Sequence, residues 1–127
     1  MLSRPFRIVI ADDEADMLRY YQTTLTSLGH DVIAQAENGQ QLVEHCRTMQ
    51  PELVISDIIM PELDGLSAME RVQTQYAIPF ILVTAYFDKQ SLERARKHNV
   101  LSYLVKPIKR AHLVSALAVA GKVVGLP

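Results

Sequence analysis

This chain of 127 residues lacks the features that mark secreted, membrane or nucleic-acid-binding proteins. Its single cysteine, Cys46, lies near apolar Leu42 and Val43 and is predicted to be a small buried residue rather than a reactive thiol. No apolar run approaches the ~20 residues of a membrane span, and no apolar targeting segment precedes the first predicted strand, so we expect a cytoplasmic protein with no membrane partner. The net charge is −1 and no basic run is dense, so no direct binding of nucleic acid is expected. The expected partners are therefore proteins.

The composition is that of a soluble globular protein. Hydrophobic residues make up 49% of the chain and charged residues 21%. A chain of this length buries roughly two thirds of its unfolded surface in one core. Nothing in the sequence indicates a linker, a repeat or a low-complexity stretch, so we predict one domain over residues 1–127.

Apolar strand-like runs alternate with segments of helical periodicity, which indicates repeated βα units and a parallel sheet. The spacing predicts five strands, at residues 7–11, 32–34, 53–57, 80–84 and 101–105. It predicts five helices after them, near residues 14–28, 38–49, 65–75, 88–98 and 108–124. Gly29 is the expected stop of the first helix and Asp88 the expected N-cap of the fourth.

Charged residues stand at the ends of three of these strands. Asp12 and Asp13 follow the first strand, Asp57 ends the third and Lys106 follows the fifth. The carboxyl ends of parallel strands share one edge of the sheet, so these groups are expected to meet there. Three carboxylates in one crevice repel each other unless a divalent cation lies among them, and a hard, oxygen-seeking ion such as Mg²⁺ suits that position. With Lys106 as a positive charge for an incoming anion, the pattern predicts a phosphoryl-transfer site.

Four motifs lie at these strand ends. They are Ile-Ala-Asp12-Asp13-Glu, Ser-Asp57-Ile-Ile-Met-Pro61-Glu-Leu-Asp-Gly65, Val-Thr84-Ala-Tyr86 and Tyr103-Leu-Val-Lys106-Pro107. In this order the motifs resemble those of a known family, the receiver domains of two-component response regulators, and the resemblance covers nearly the whole chain. It implies a flavodoxin-like (CheY-like) α/β fold, a (βα)5 three-layer sandwich whose parallel sheet has the strand order 2-1-3-4-5.

The resemblance also implies how the acidic residues act. Asp57 is the phosphoacceptor, which takes a phosphoryl group from the phosphohistidine of a sensor histidine kinase or a histidine phosphotransfer protein. Asp13, Asp57 and the backbone carbonyl of Ile59 bind Mg²⁺ directly, and Asp12 binds it through water. Mg²⁺ ordinarily keeps several waters, so few protein ligands are required, and Mn²⁺ is an alternative ion.

By the same resemblance, Lys106 pairs with one phosphoryl oxygen and the Thr84 hydroxyl donates to another. Tyr103 is implied to swing inward as the Thr84 hydroxyl moves, which changes the surface formed by the fourth helix, fifth strand and fifth helix. That surface is also the expected contact if the domain forms a homodimer. The Lys106–Pro107 bond is a candidate cis peptide.

The lifetime of the phosphoryl group is expected to depend on Ile59 and Tyr86, two residues beyond Asp57 and Thr84 respectively. Both are predicted to flank the path of a water molecule that attacks the phosphoryl group in line. Neither side chain is suited to orient that water, so we predict slow self-dephosphorylation. The domain is expected to catalyse only its own phosphorylation and dephosphorylation and not to be an enzyme in any wider sense.

Three alternatives compete with the receiver function. A haloacid-dehalogenase-like phosphatase also uses a strand-end Asp nucleophile and Mg²⁺, but it requires a second Asp where this chain has Ile59. A flavodoxin-type binder requires a Ser/Thr/Gly phosphate loop after the first strand, where this chain has acids that would repel a phosphate. A degenerate receiver would act purely as a protein-interaction module, although all five site residues are in place.

Three interpretations of how the domain is connected to an output are considered. The three are a stand-alone receiver, a phosphorelay intermediate and an excised part of a longer protein. Residues 84–107 resemble receivers joined to RNA-binding antiterminator (ANTAR) domains, whose last helix continues into a coiled coil.

Overall fold

The computed structural model describes residues 5–123. Within that range five strands and five helices alternate along the chain. The strands are β1 (Arg7–Ala11), β2 (Asp31–Ala36), β3 (Leu53–Asp57), β4 (Phe80–Thr84) and β5 (Val100–Val105). The helices are α1 (Ala15–Ser27), α2 (Gly39–Met49), α3 (Gly65–Gln73), α4 (Lys89–Ala95) and α5 (Arg110–Val123). The predicted end of the last helix at residue 124 and both ends of the predicted domain lie outside the described residues.

All strand pairs are parallel, and the sheet has the order β2-β1-β3-β4-β5. The predicted α/β fold class and strand order are therefore confirmed. Every residue of β3 and β4 is buried, which explains why both strands appear in the sequence as unbroken apolar runs. The parallel arrangement brings the carboxyl ends of β1, β3, β4 and β5 to one edge of the sheet.

The core consists of two layers, one on each face of the sheet, because successive strand side chains point to opposite faces. One layer joins strand residues such as Val54 and Leu82 to α2 and α3, and it includes Cys46, which is buried as predicted. The other joins Ile10, Ile55 and their neighbours to α1 and α5. Burial in the layer of α2 and α3 raises the pKa of the Cys46 thiol to about 12.

Some boundaries differ from the sequence-based ones. β2 is longer than predicted because its pairing with β1 extends through Gln35, a polar residue on the outer strand of the sheet. α4 is shorter because the amides of Lys97 and His98 donate to carbonyls three residues back, which is the tighter pattern of a 3₁₀ turn. α5 begins later than predicted, at Arg110.

The predicted helix signals are confirmed by geometry. Gly29 follows α1 with φ 91°, a left-handed conformation that favours glycine. The Asp88 side chain accepts a hydrogen bond from the Gln90 amide and so caps α4. Asn38 caps α2 in the same way, through the Gln41 amide.

Two glycines bring backbone segments unusually close together. A Cβ atom at Gly65, the first residue of α3, would lie 2.0 Å from the carbonyl oxygen of Asp57. A Cβ atom at Gly39, the first residue of α2, would lie 2.0 Å from the carbonyl oxygen of Leu63. Only glycine permits these contacts, which hold the C-terminal part of the loop between β3 and α3 against α2 at Leu63 and against the end of β3 at Gly65.

Candidate functional site

Asp57 lies at the end of β3, near the middle of the sheet, and its side chain is 8% exposed. Its Oδ1 accepts a hydrogen bond from the Ile59 amide at 3.2 Å. Its Oδ2 accepts one from the Lys106 ammonium at 2.9 Å. The carboxylate is therefore held from two sides.

Asp12 and Asp13 follow β1 directly, on the strand next to β3. Asp12 is fully buried, whereas Asp13 is exposed. One carboxylate oxygen from each of Asp12, Asp13 and Asp57 lies within 4.8 Å of the other two. The three acids predicted to converge do so.

Lys106 follows β5 and reaches across the sheet edge to the acids. Its ammonium lies 2.9 Å from Asp57 Oδ2, 3.1 Å from Asp12 Oδ2 and 3.4 Å from Glu14 Oε1. Burial acts to lower the pKa of Lys106, but the hydrogen bonds to Asp57 and Asp12 outweigh it, and the net shift is upward. The lysine is therefore charged throughout the neutral range. The Lys106–Pro107 peptide bond is cis, as predicted.

The negative charges of the acids are less well balanced by nearby opposite charge than the positive charge of Lys106 is. Burial raises the pKa of Asp12. A hydrogen bond from the Glu14 amide and the contact with Lys106 act to lower it, while repulsion from Asp57 raises it, and the net shift is upward. One ammonium does not balance three converging carboxylates. The donor set of hard oxygen atoms with excess negative charge fits Mg²⁺.

Thr84, at the end of β4, is buried beside this cluster. Its hydroxyl donates to the Tyr86 carbonyl at 3.0 Å and lies 3.3 Å from the Tyr86 amide, which donates to it. Both hydrogen bonds of the Thr84 hydroxyl are therefore made to Tyr86, two residues along the same loop. The Tyr86 side chain is 74% exposed and that of Ile59 is 62% exposed, so both stand at the solvent side of the site.

Tyr103 lies in β5 opposite Leu82 of β4 and packs against the core layer of α2 and α3. Its hydroxyl is buried and has no hydrogen-bond partner among the described residues. Burial raises the pKa of this phenol, and the Asp88 charge raises it further. In this structure the Tyr103 hydroxyl is therefore enclosed while the Thr84 hydroxyl donates to the Tyr86 carbonyl.

A family model described as the response regulator receiver domain matches residues 8–118. The chain belongs to this family. Its fold and its strand-end residues agree with that membership, and the resemblance inferred from the four motifs is confirmed.

Curated relatives of this receiver domain include a transcriptional regulator and a chemotaxis protein. The chain is 34% identical over 116 residues to the transcriptional regulatory protein PdtaR of Mycobacterium tuberculosis, with 91% of the chain and 57% of PdtaR covered. It is 34% identical over 112 residues to the chemotaxis protein CheY of Bacillus subtilis, with 87% of the chain and 93% of CheY covered. The receiver domain thus spans little more than half the length of PdtaR.

Solved structures share the fold along almost the whole chain. The signal receiver domain of an HD domain-containing protein from Pseudomonas fluorescens has a TM-score of 0.87 at 27% identity, with 96% of this chain and 98% of that chain covered. A chain of the CheX–CheY–BeF3–Mg²⁺ complex from Borrelia burgdorferi has a TM-score of 0.84 at 23% identity, with 90% and 87% covered. Across residues 5–123, no helix is long and apolar enough to cross a bilayer.

The structure adds residues to the receiver site that the sequence did not single out. Glu14 contacts Lys106, and the signal for it is a third acid directly after the Asp12–Asp13 pair. Tyr21 of α1 has a fully buried side chain, and the charges of Asp12, Lys106 and Asp57 act on its phenol. Its place in an apolar helical stripe predicts that the side chain is buried, but it does not predict that the hydroxyl is affected by the charges of the site.

A further contact supports the loop that carries Ile59. The Asn38 side-chain amide donates to Glu62 Oε2 at 2.9 Å, and Glu62 has φ 68°, a conformation that non-glycine residues rarely adopt. The turn before α2 is thereby tied to the loop after β3. No local sequence pattern indicates this pairing, because the two residues belong to separate βα units.

Proposed function

We propose that this receiver domain accepts a phosphoryl group on Asp57, in a Mg²⁺-dependent transfer from the phosphohistidine of a histidine kinase or a histidine phosphotransfer protein. The observation that carries the proposal is the position of the Lys106 ammonium, 2.9 Å from Asp57 Oδ2, beside three carboxylates that lie within 4.8 Å of each other. A nucleophile, a cation-binding set and a fixed positive charge then share one crevice.

The transfer begins with attack of an Asp57 carboxylate oxygen on phosphorus. The new P–O bond forms as the P–N bond breaks, and the bonding electron pair leaves with the donor imidazole. Asp13, Asp57 and the Ile59 carbonyl would hold Mg²⁺, with Asp12 acting through water. The ion supplies charge neutralisation for the phosphoryl oxygens.

The chain's own residues do the remaining work. Lys106 shifts its hydrogen bond from Asp57 to a phosphoryl oxygen, and no reorientation of the strand is required because its ammonium already lies at the carboxylate. The Ile59 amide keeps Asp57 oriented through Oδ1. The Thr84 hydroxyl turns from the Tyr86 carbonyl to the phosphoryl group, and this turn starts the conformational response.

The response proposed for the receiver is a change at the surface formed by α4, β5 and α5, with Tyr103 as the residue that senses Thr84. This surface has apolar character in two places. Val105 is 44% exposed, and a shallow cavity of about 150 Å³ between α4 and β5 is lined by Leu92, Val100 and Leu101. We propose that a homodimer, if formed, uses this surface. Sedimentation with and without beryllofluoride and Mg²⁺ tests it.

The phosphoacceptor assignment is tested by incubating the protein with acetyl phosphate and Mg²⁺ and measuring its intact mass. One added phosphoryl group is expected on the parent and none on Asp57→Ala. Asp31→Ala, which changes an exposed acid at the start of β2, is the matched control and should be labelled like the parent. Equal labelling of Asp57→Ala would refute the assignment. Absence of labelling in the parent would favour the degenerate receiver.

We propose that the domain catalyses only its own phosphorylation and dephosphorylation and does not turn over other phosphate esters. Release of p-nitrophenol from its phosphate ester by the parent, lost in Asp57→Ala, would instead support the phosphatase alternative.

For the output we propose regulation of transcription through a joined RNA-binding antiterminator (ANTAR) domain. The support is the resemblance of residues 84–107 to that class of receiver and the similarity to a transcriptional regulatory protein. Sequencing the natural gene across the region after residue 127 tests this directly. A gene without a domain of that class there would contradict it.

A further inference from the structure

The Tyr21 phenol is a buried polar group that the proposed phosphoryl transfer does not use. Its side chain is 0% exposed and packs in the core layer between the sheet and α1 and α5. Its hydroxyl has no hydrogen-bond partner among the residues that the structure describes. A buried hydroxyl without a partner is destabilising, and phenylalanine would fill the same space without that cost.

Tyr21 lies on the face of the sheet toward which the Asp12 side chain is expected to point, because Ile8 and Ile10 of β1 pack in the same layer as Tyr21 and strand side chains alternate between faces. Side chains of a helix tilt toward its N-terminus, and the N-terminus of α1 follows Asp12 and Asp13 at the carboxyl edge of the sheet. Burial raises the pKa of the Tyr21 phenol, and among the charges that act on it the Asp12 carboxylate contributes most, ahead of Lys106 and Asp57. The shared face of the sheet and this electrostatic influence make Asp12 the candidate partner of the Tyr21 hydroxyl.

Asp12 has room for another donor. Its Oδ1 accepts from the Glu14 amide at 2.9 Å and its Oδ2 from Lys106 at 3.1 Å, whereas a carboxylate offers about four acceptor positions. Under the proposed function, Lys106 moves to a phosphoryl oxygen. Asp12, which is fully buried, then loses its ammonium partner and keeps the Glu14 amide and the Mg²⁺-bound water proposed above, which leaves acceptor positions for a further donor.

We propose that Tyr21 is a positioning residue of the receiver site, whose hydroxyl donates a hydrogen bond to the Asp12 carboxylate once Lys106 has moved to the phosphoryl group. The inference rests on the proposed function and extends it by one residue. In the unphosphorylated state the unpartnered Tyr21 hydroxyl is destabilising. In the phosphorylated state its hydrogen bond to Asp12 is stabilising. The hydroxyl thus biases the domain toward retaining the phosphoryl group.

The test compares the parent with Tyr21→Phe and with Tyr20→Phe, a control that removes the hydroxyl of the neighbouring, half-buried tyrosine. Beryllofluoride serves as the phosphoryl mimic, its affinity in saturating Mg²⁺ being measured by ¹⁹F NMR titration. Urea denaturation without beryllofluoride gives the stability of the unloaded protein. Tyr21→Phe should be at least as stable as the parent when unloaded, yet bind beryllofluoride roughly fivefold to tenfold more weakly. Tyr20→Phe should match the parent in affinity.

Three results would overturn the inference while leaving the proposed function intact. The first is that Tyr21→Phe binds beryllofluoride as tightly as the parent, and the second is that Tyr20→Phe loses as much affinity as Tyr21→Phe. The third is that unloaded Tyr21→Phe is less stable than the parent, which would mean that the hydroxyl already has a partner. A parent that binds no beryllofluoride in Mg²⁺ would instead overturn the proposed function, and this inference with it.

Discussion

Replacing Lys106 with methionine is expected to destabilise the metal-free receiver domain by about 3–5 kcal/mol, the usual cost of removing one partner from a buried ion pair. The Lys106 side chain is 14% exposed, and its ammonium lies 2.9 Å from Asp57 Oδ2 and 3.1 Å from Asp12 Oδ2. Methionine retains most of the apolar stem, so the loss reports mainly on the charge. Without the ammonium, two enclosed carboxylates face each other uncompensated.

Urea denaturation of Lys106→Met is compared with that of Lys97→Met, which changes an exposed lysine and should cost no more than about 0.5 kcal/mol. Saturating Mg²⁺ replaces the missing positive charge and should reduce the Lys106→Met loss by about half or more. The pKa of Lys106 is raised, so its contribution is fully present below the ordinary value of 10.5 and is lost as the pH rises beyond it. A loss below about 1 kcal/mol, or one that Mg²⁺ leaves unchanged, would refute the reasoning.

Three further predictions concern other parts of the site. Asp12→Asn should weaken Mg²⁺ binding by about tenfold, as expected for a water-mediated contact, and Asp13→Asn by more, because it is placed to bind directly; equal losses in titration calorimetry would count against this geometry. Ile59→Asn combined with Tyr86→Glu should shorten the life of the phosphoryl group severalfold, followed by quenched mass spectrometry after removal of the donor; a double variant that keeps its phosphate as long as the parent would contradict gating of water. Gly65→Ala should destabilise the fold by about 1–3 kcal/mol or more, since its Cβ would lie 2.0 Å from the Asp57 carbonyl oxygen.

The control for Gly65→Ala is Gly121→Ala, in α5. A Cβ atom at Gly121 has no heavy atom within 4 Å, so alanine should stabilise the helix by about 0.5–1 kcal/mol. Urea midpoints that shift in the same direction for both variants would show that the close approach at Gly65 is not the cause.

The central strands could be predicted to the residue, whereas the edges of the fold could not. β3 and β4 are buried on both faces, so their ends coincide with the ends of apolar runs. β2 lies at the edge of the sheet with its residues mostly half-buried, and polar Gln35 continues its pairing with β1, so composition underestimates its length. The end of α4 depends on the local choice between α and 3₁₀ hydrogen bonding at Lys97 and His98, which propensity does not resolve.

The same division holds for the site. Asp12, Asp13, Asp57 and Lys106 could be predicted to converge because they end parallel strands, whose topology fixes where the loops meet. Glu14 and Tyr21 could not, because helical periodicity places a residue on a face but does not fix the direction of its polar atoms. The Lys106–Glu14 contact and the Tyr21 hydroxyl depend on side-chain conformations that only tertiary packing sets.

The backbone contacts at Gly39 and Gly65 have a consequence for how such domains diversify. They fix the C-terminal part of the segment between β3 and α3 against α2 and against the end of β3, while the side chain of Ile59 within it stays 62% exposed. Its amide is fixed against Asp57, so a substitution there changes the group beside the reacting atoms with little effect on folding. Under the proposed function, exchange of this one exposed residue is expected to change how long a signal persists, while the residues that receive the signal are inherited unchanged.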